Sequence, residues 1–324
     1  MSKLVRITAP SRLHFGLLRF AQTQGPSYGG LGMMIQEPRL VIEVRRSSQW
    51  RATGPLADRA LAHARQVQQK WPPPSSEAID VHVRESPPQH AGLGSGTQLA
   101  LAVALGVRTL RDLAPATLAS LVDGVGRGTR SAVGSYGFES GGLVWETGYS
   151  AGNQLGQLAA RLPVPDSWRI LLVSPHTRPG LHGKSELEAF GQLAPVPPEV
   201  TAQLYRIAEQ QILPAAERGD FDLFTASLFQ YGHLAGSCFT RIQNGPYASR
   251  QIASCIDRLR RLGCAGVGQS SWGPTIFAFC ATERDAAELA EKLSQLAEFS
   301  NAAIQVSAPD NRGAQVQRVA DSAT

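Results

Sequence analysis

Residues 90–97 read His-Ala-Gly-Leu-Gly-Ser-Gly-Thr, and this stretch decides how the rest of the chain is interpreted. Glycine occupies every second position from 92 to 96, so backbone N–H groups can approach an anion with no Cβ atom in the way. The run 99–110, LALAVALGVRTL, predicts a buried helix whose N-terminus adds partial positive charge. The pattern predicts a phosphate site formed by Gly92, Leu93, Gly94, Ser95, Gly96 and Thr97. The alternative is a capped, glycine-rich turn that binds nothing.

The residues before this loop predict a strand. Ile79, Val81 and Val83 alternate with polar residues, as a half-buried strand requires. Strand, glycine loop and buried helix therefore follow one another along the chain. Two common nucleotide-binding patterns, GxGxxG and GxxxxGK[ST], do not fit the stretch, so neither predicts its ligand.

The length of 324 residues predicts two packed lobes, because a single core rarely keeps growing beyond about 250–300 residues. A change of composition at 163–165 divides the chain into lobes 1–164 and 165–324. The first lobe has further predicted strands at 4–7 and 40–44. The second has predicted strands at 170–173, 275–280 and 303–306 and helices at 199–218, 221–234, 248–262 and 283–298. This order predicts an α+β protein.

Composition excludes several classes of function. The net charge of +5 includes no run of one sign, which disfavours nucleic acid and favours a small anionic substrate. Arg6, Pro10 and Arg12 interrupt any signal-peptide core, and no segment reaches the roughly 18 apolar residues of a membrane span, so we expect a cytoplasmic protein. The four cysteines lack C-x-x-C spacing and the histidines lack H-x-x-x-H spacing, which predicts reduced thiols and no zinc site.

Three segments resemble motifs of the GHMP kinase superfamily. HAGLGSGTQLALAVA (90–104) is similar to the second motif, which wraps a phosphate chain, and ITAPSRLHFGLL (7–18) resembles the first. GVGQSSWGPTIFAF (266–279) resembles the third motif, which closes on the substrate, and this implies contacts from Gln269, Ser270 and Ser271. The resemblance implies a two-lobe fold with an N-terminal ribosomal protein S5-like lobe and a C-terminal ferredoxin-like α+β lobe. It also implies a homodimer.

The chain departs from the kinase pattern at 131–137. Superfamily kinases commonly carry a catalytic aspartate in a G-V-D-x-x-x-S segment, but the comparable stretch here, SAVGSYG, has no carboxylate. A non-kinase branch is more similar: APSRLHFGLL, GGLGM, GLGSGTQ, GRGTRSAVG and GLHGKSE together resemble the β-ribofuranosylaminobenzene 5'-phosphate synthases. This implies condensation of phosphoribosyl pyrophosphate with a para-substituted benzoate, with loss of CO₂ and pyrophosphate, in tetrahydromethanopterin synthesis. An ATP-dependent small-molecule kinase is the main alternative, and a non-enzymatic phosphoribosyl sensor is another.

Under this resemblance, the two phosphate-bearing ends of the donor require two anion-binding groups. The second would comprise Arg127, Thr129, Arg130 and Ser131, because guanidinium groups bind phosphate oxygens in bidentate geometry; solvated loop arginines are the alternative.

Four basic residues are candidate catalytic groups. Arg12 and His14 are two apart on a predicted strand and share a face, where either could neutralise pyrophosphate or hold the benzoate carboxylate. His14 could instead be a structural histidine. His182 and Lys184 follow a strand and are flanked by glycines, which predicts substrate contacts or an exposed loop.

Glu139 is the carboxylate nearest to the phosphate-binding candidates. It predicts a Mg²⁺ site completed by substrate phosphate, with a salt bridge as the alternative. For the acceptor, we expect the benzoate carboxylate to be desolvated near Phe15, Tyr28 or Trp272.

Overall fold

A computed structural model describes residues 4–20, 26–72, 77–126, 131–150, 152–153, 155–175 and 193–319. In these ranges the chain forms a seven-stranded and a four-stranded sheet with helices packed on both. The strands are β1 (Leu4–Arg19), β2 (Tyr28–Ser47), β3 (Arg51–Thr53), β4 (Ala78–Glu85), β5 (Leu143–Glu146), β6 (Leu158–Leu162), β7 (Arg169–Ser174), β8 (Val267–Gln269), β9 (Ile276–Cys280), β10 (Ala303–Ser307) and β11 (Gln315–Val319). The helices are α1 (Ala57–Lys70), α2 (Ser95–Leu110), α3 (Leu118–Val125), α4 (Val133–Ser140), α5 (Pro198–Ile207), α6 (Leu213–Arg218), α7 (Phe221–Ser237), α8 (Thr240–Gln243), α9 (Arg250–Arg261) and α10 (Glu283–Ser294).

The first sheet is built on the long antiparallel hairpin of β1 and β2. Its order is β11-β1-β2-β4-β3, and β5 pairs with the first half of β2 and with β6. Register shifts interrupt the hairpin between Ala9 and Ser11 and between His14 and Gly16. Such bulges bend a strand and redirect its side chains, and the second one lies beside the residues that face the cavity described below.

Helix α2 is the centre of the first core. It packs on β1 and β2 and is covered by α1 and α3, which explains why its sequence is apolar almost all round. Gly106 allows this close approach, because an added Cβ would lie 2.7 Å from the Val44 side chain. Burying each leucine or valine of this core stabilises the fold by about 1.5–3 kcal/mol. The glycine loop is therefore attached to a rigid helix.

The second sheet has the order β10-β7-β9-β8 and is covered on both faces. Helices α9 and α10 pack on one face around Leu171, Ile256 and Leu293. Helices α5–α7 and part of β1 pack on the other, around Leu172 and Phe224. Residues of β1 and of the second sheet share one hydrophobic core. Side chains from the two sheets therefore meet along β1.

The predicted α+β organisation is confirmed, with differences at the element ends. The helix predicted at 199–218 is interrupted by a π-helical segment at Ala208–Ile212, and the one predicted to end at 298 ends at Ser294. Strand β11 returns to the first sheet and pairs with β1. Residues 315–319, which belong to the predicted second lobe, therefore extend the sheet of the first. The division at 164 and 165 stays a prediction.

None of the described helices is long and apolar enough to cross a bilayer. All four cysteines are free thiols. Three of them, Cys255, Cys264 and Cys280, pack in the core under β9, and burial raises the pKa of each.

Candidate active site

A cavity of about 690 Å³ lies where β1, the glycine loop, α7 and the segment 267–273 meet. Residues from both sheets and their helices line it, including Arg12 and His14 from β1 and Gly232 from α7. All six residues of the predicted phosphate site, from position 92 to position 97, lie along its wall. The cavity has the size of a pocket for a small organic ligand.

The glycine loop leads directly into helix α2. Gly94 is the N-cap residue and has a φ of 74°, in the left-handed region that favours glycine. The Arg12 side chain packs on it, and an added Cβ would lie 3.1 Å from both the Cβ and the Nε of Arg12. Among the described residues, the backbone amides of positions 92–96 donate to no other protein group. These N–H groups remain available to an anion, together with the helix dipole.

The back of the loop is fixed by three hydrogen bonds. The Arg12 amide donates to the carbonyl of Leu93 at 3.0 Å. The Ser270 hydroxyl donates to the carbonyl of Gly92 at 2.7 Å and accepts the His14 amide at 3.1 Å. Ser270 is fully buried and does not line the cavity, so the predicted substrate contact of this residue is replaced by a structural link between β1 and the loop.

The other two predicted residues of this segment do line the cavity. Gln269 is engaged at both ends of its amide, since it accepts from the Ala248 N–H at 2.9 Å and donates to the Ser271 carbonyl at 3.0 Å. Ser271 has a φ of 54°, and its own amide donates to the His14 carbonyl. Through these hydrogen bonds, Gln269 and Ser271 fix the backbone of the cavity wall.

The charged groups of the cavity wall are cationic. Arg12 and Arg59 line it, and no aspartate or glutamate does among the described residues. Two guanidinium groups and a helix N-terminus create a positive site that suits a polyanionic ligand. Arg59, in the first turn of α1, was not predicted from the sequence because no motif surrounds it.

His14 is 5% exposed and is hydrogen-bonded at both ring nitrogens. Its Nδ1 accepts the Gly16 N–H at 3.3 Å, and its Nε2 lies 3.0 Å from the Ser131 Oγ. Because Nδ1 is an acceptor, the proton of the neutral ring is on Nε2. Burial and the neighbouring Arg12 charge lower the pKa of His14 well below its usual value. The ring is therefore neutral, and Arg12, not His14, is the cation that packs beside Gly94.

Ser131 connects this histidine to a buried carboxylate that was not predicted. Its hydroxyl faces Glu146, the last residue of β5, which is 0% exposed, and lowers the pKa of that carboxyl group as a hydrogen-bond donor. The carboxylate also accepts the Ala132 N–H at 3.2 Å and the Gly148 N–H at 3.0 Å. Burial raises the pKa of Glu146 to about 7, against the opposing effect of these hydrogen bonds and of Arg19.

Aromatic residues form the remaining wall. Tyr28, Phe239 and Trp272 line the cavity, and the rings of Phe239 and Trp272 meet edge to face with centroids 4.8 Å apart. Phe15 also lines it and packs edge to face on Phe277, at 5.2 Å. The cavity thus combines a polar, cationic wall with an apolar, aromatic one.

Comparison with known proteins identifies the family. The models named GHMP kinases N terminal domain and GHMP kinases C terminal match residues 57–138 and 212–298. A β-ribofuranosylphenol 5'-phosphate synthase from Methanothermobacter thermautotrophicus is 30% identical over 84% of this chain and 87% of its own length. The chain belongs to the β-ribofuranosylphenol 5'-phosphate synthase family. A synthase of the same name from Archaeoglobus fulgidus is 28% identical over 85% of this chain and 87% of its own.

The predicted resemblance to the GHMP kinase superfamily is thereby confirmed, and so is the prediction of a transferase of the pentosyltransferase type. Homoserine kinase from Cytophaga hutchinsonii superimposes with a TM-score of 0.72 at 16% identity, over 98% of each chain. Mevalonate pyrophosphate decarboxylase from Streptococcus pyogenes gives 0.69 at 14% identity, over 96% of this chain and 98% of that one. These two likenesses show the fold alone.

Several predicted site residues of this family member are not at the cavity in the described structure. Glu139 is on the exposed side of α4 and does not line the cavity, so the structure does not bring the predicted magnesium ligand to the phosphate loop. No cluster of three or more potential metal ligands occurs among the described residues. Five predicted residues lie outside the described ranges: Arg127, Thr129, Arg130, His182 and Lys184.

Proposed function

We propose that this synthase family member condenses phosphoribosyl pyrophosphate with 4-hydroxybenzoate or 4-aminobenzoate and releases CO₂ and pyrophosphate. The observation that carries the proposal is a single cavity that combines open backbone amides, two arginines and an aromatic wall. The names of the relatives specify a phenol product, so 4-hydroxybenzoate is the first acceptor to test. The product is an aryl C-riboside that enters tetrahydromethanopterin biosynthesis.

The polar wall suits the donor. Phosphoribosyl pyrophosphate carries a pyrophosphate on C1 and a phosphate on C5, and the amides of 92–96 with Arg12 form one anion site. Arg59 offers a second guanidinium on the same cavity. The absence of carboxylates among the described lining residues supports this assignment, because a carboxylate would repel a ligand of this charge.

The reaction needs positioning and charge neutralisation more than a strong base. The bond between C1 and the pyrophosphate oxygen breaks, and its electron pair leaves with pyrophosphate toward the loop amides and Arg12. The ring carbon that bears the carboxylate then forms a bond to C1. Cleavage of the bond to the carboxylate releases CO₂, and its electron pair restores the aromatic ring, so no proton is gained or lost overall.

The aromatic wall suits the acceptor. A benzoate ring can pack against Tyr28, Phe239 and Trp272, which line the cavity. A carboxylate held beside these rings loses its hydration, and this favours its departure as uncharged CO₂. His14 does not neutralise pyrophosphate in this scheme, because its ring is uncharged.

Magnesium, a cytoplasmic location and a homodimer are further parts of the proposal. The described lining residues include no carboxylate, so they do not form a protein site for Mg²⁺, which usually takes one or two carboxylates besides substrate phosphate. A metal requirement is tested by removal with EDTA and restoration with MgCl₂. Four free thiols support a reducing compartment.

The test incubates the purified protein with phosphoribosyl pyrophosphate and ¹⁴C-carboxyl-labelled 4-hydroxybenzoate or 4-aminobenzoate, with and without Mg²⁺. We expect labelled CO₂ and pyrophosphate in equal amounts. A parallel reaction replaces the donor with ATP and measures ADP. ADP formation without CO₂ would favour a kinase, and tight donor binding without any product would favour a sensor; either result contradicts the proposal.

A further inference from the structure

Three side chains, His14, Ser131 and Glu146, form a chain of polar contacts from β1 to β5, with backbone N–H groups at both ends. The Gly16 N–H donates to Nδ1 of His14, and Nε2–H of His14 donates to the Ser131 Oγ, at 3.3 Å and 3.0 Å. The Ser131 hydroxyl faces Glu146 as a donor and lowers the pKa of its carboxyl group, and Ala132, the next residue along the chain, donates its N–H to the same carboxylate at 3.2 Å. The backbone N–H groups of Ala132 and Gly148 donate to the two oxygens of the same carboxylate.

A backbone donor at the His14 end fixes the direction of this chain while Glu146 is ionised. A backbone N–H can only donate, so Nδ1 of His14 must accept and its Nε2 must carry the proton. The Ser131 oxygen therefore accepts from the ring, and its own proton goes to Glu146. If Glu146 were protonated, its O–H would donate to the Ser131 oxygen, which would then accept from both Glu146 and the Nε2–H of His14 and turn its own O–H toward the cavity.

We propose that Glu146 is a positioning residue, whose negative charge orients the Ser131 hydroxyl so that Ser131 offers the cavity a lone pair instead of an O–H group. The segment 131–137 has no carboxylate of its own, and Glu146 supplies one through Ser131 from the neighbouring strand. Ser131 lines the cavity, whereas Glu146 is completely buried and does not touch it. Gly156 helps to close off the carboxylate, since an added Cβ there would lie 2.5 Å from Oε2.

The surroundings of Glu146 allow both protonation states near neutral pH. Among the residues that the structure describes, the titratable groups that face it from the packed elements, besides His14 through Ser131, are Arg19, Tyr136, Tyr205 and Tyr231. Burial raises the pKa of all three tyrosines, so of these four neighbours only Arg19 is charged at neutral pH. Burial also raises the pKa of Glu146 itself to about 7, so the Ser131 proton changes its direction over a physiological pH range.

The orientation of Ser131 determines which substrate group it can meet. With its proton on Glu146, the Ser131 oxygen receives a hydrogen bond from a hydroxyl or amino group and repels a phosphate oxygen. This step rests on the proposed function, in which the ribose hydroxyls and the para substituent are the donors available. Ser131, predicted from the sequence as a phosphate ligand, is thereby assigned to a hydroxyl or amino group of the substrates.

The first experiment does not depend on turnover. The full-length protein is labelled with ¹⁵N at its seven histidines, and the His14 ring signals are identified by their loss in His14→Gln. Between pH 6 and pH 8 we expect these signals to shift with an apparent pKa of about 7 that reports Glu146. The shift disappears in Glu146→Gln and in Ser131→Ala, and it persists in Glu43→Gln. Glu43 is a buried carboxylate on β2 that lies outside the cavity.

The second experiment measures kcat for CO₂ release against pH. In the wild-type protein kcat falls below about pH 7, because the ionised form of Glu146 is the active one. Glu146→Gln lowers kcat at pH 8 by about 100-fold, removes this acid limb, and leaves KM for phosphoribosyl pyrophosphate within about threefold. Glu43→Gln keeps the wild-type kcat and pH profile.

An absent His14 shift in the wild-type protein, or one that survives in Glu146→Gln, overturns the proposal. So does a Glu146→Gln variant with wild-type kcat and pH profile. If Glu146→Gln does not fold, Ser131→Ala decides in its place, since it keeps the carboxylate with both backbone hydrogen bonds. A His14 shift with the expected variant pattern but no CO₂ release would contradict the proposed function and leave the role of Glu146 intact.

Discussion

The glycine loop at 92–97 and the Ser131 side of the cavity present opposite kinds of hydrogen-bonding group. The loop offers backbone N–H groups that have no partner among the described residues, and their direction is fixed by φ and by helix α2. Ser131 is a side chain whose hydrogen bonds are already directed by His14 and Glu146. Substrate binding and turnover should therefore depend on the shape and charge of the loop. On the Ser131 side, turnover and stability should depend on the protonation of Glu146.

The strongest way to break this contrast is to change the shape of the loop. Gly94→Val adds a side chain at a φ of 74°, against Arg12, and we expect kcat/KM for phosphoribosyl pyrophosphate to fall by about 100- to 1,000-fold. Steady-state CO₂ release measures the effect. Gly263→Val is the matched control, because its φ is 95° and nothing lies within 4 Å of the added Cβ. Equal losses in the two variants would attribute the effect to backbone strain alone.

The protonation of Glu146 should change the free energy of unfolding of the protein. The folded-state pKa of Glu146, about 7, exceeds the ordinary value of 4.5, so its stabilising contribution is complete below pH 4.5 and is lost as pH rises through 7. The difference of about 2.5 pKa units corresponds to about 3 kcal/mol. Urea unfolding at pH 5 and pH 8.5 should show that the wild-type protein loses most of this amount relative to Glu146→Gln, since a smaller part is already lost at pH 5.

Glu43 provides a control of opposite sign for that measurement. Burial opposes ionisation of Glu43, but hydrogen bonds from Arg84 and Arg6 lower its pKa overall. Its contribution is therefore present at high pH and is lost as pH falls. If Glu43→Gln and Glu146→Gln changed the pH dependence of unfolding in the same direction, the account of Glu146 would be wrong.

Removing a charge from the loop side should have an intermediate effect on turnover. Arg12→Ala takes the guanidinium from beside Gly94, and we expect kcat/KM to fall by about 100-fold. Arg45→Ala removes an exposed arginine that pairs with Asp80 outside the cavity, and it should leave turnover unchanged. A fall of less than threefold in Arg12→Ala, by the same CO₂ assay, would remove Arg12 from the anion site.

The smallest expected effect is that of Arg59→Ala, which tests whether Arg59 binds the second phosphate of phosphoribosyl pyrophosphate. Arg59→Ala should raise KM for phosphoribosyl pyrophosphate by about 10-fold with little change in kcat, because an arginine at the cavity wall contributes to binding in the ground state. Arg65→Ala, an exposed position on the same helix, is the control. Equal KM values for both variants would place the second phosphate elsewhere.

The parts of the fold that were predictable depend on local pattern. The glycine repeat at 92–96 and the apolar run behind it specify the loop and helix α2, because backbone freedom and helical periodicity are properties of neighbouring residues. The apolar pattern predicted a strand at 4–7, and Arg12 and His14 were also predicted to lie on a strand, but the full length of β1, which continues to Arg19, was not predicted. Helix α1, which carries Arg59, was missed because its sequence has few large apolar residues.

The Ser131 side could not be predicted, since its members are distant in sequence. His14, Ser131 and Glu146 meet only because β5 pairs with β2 and β2 with β1. Glu146 lies in a four-residue strand, and a glutamate there is usually exposed. The placement of Ser270 was also misjudged, because a glycine-rich motif does not distinguish a serine that faces a ligand from one that joins two loops.

Titration of the ¹⁵N-labelled protein with pyrophosphate, followed by backbone amide NMR, tests the central claim most directly. The account predicts that the amide signals of residues 92–96 shift together and saturate with one Kd, and that Gly94→Val abolishes these shifts. Pyrophosphate binding that leaves the amides of 92–96 unchanged, or no binding at millimolar concentration, would contradict it.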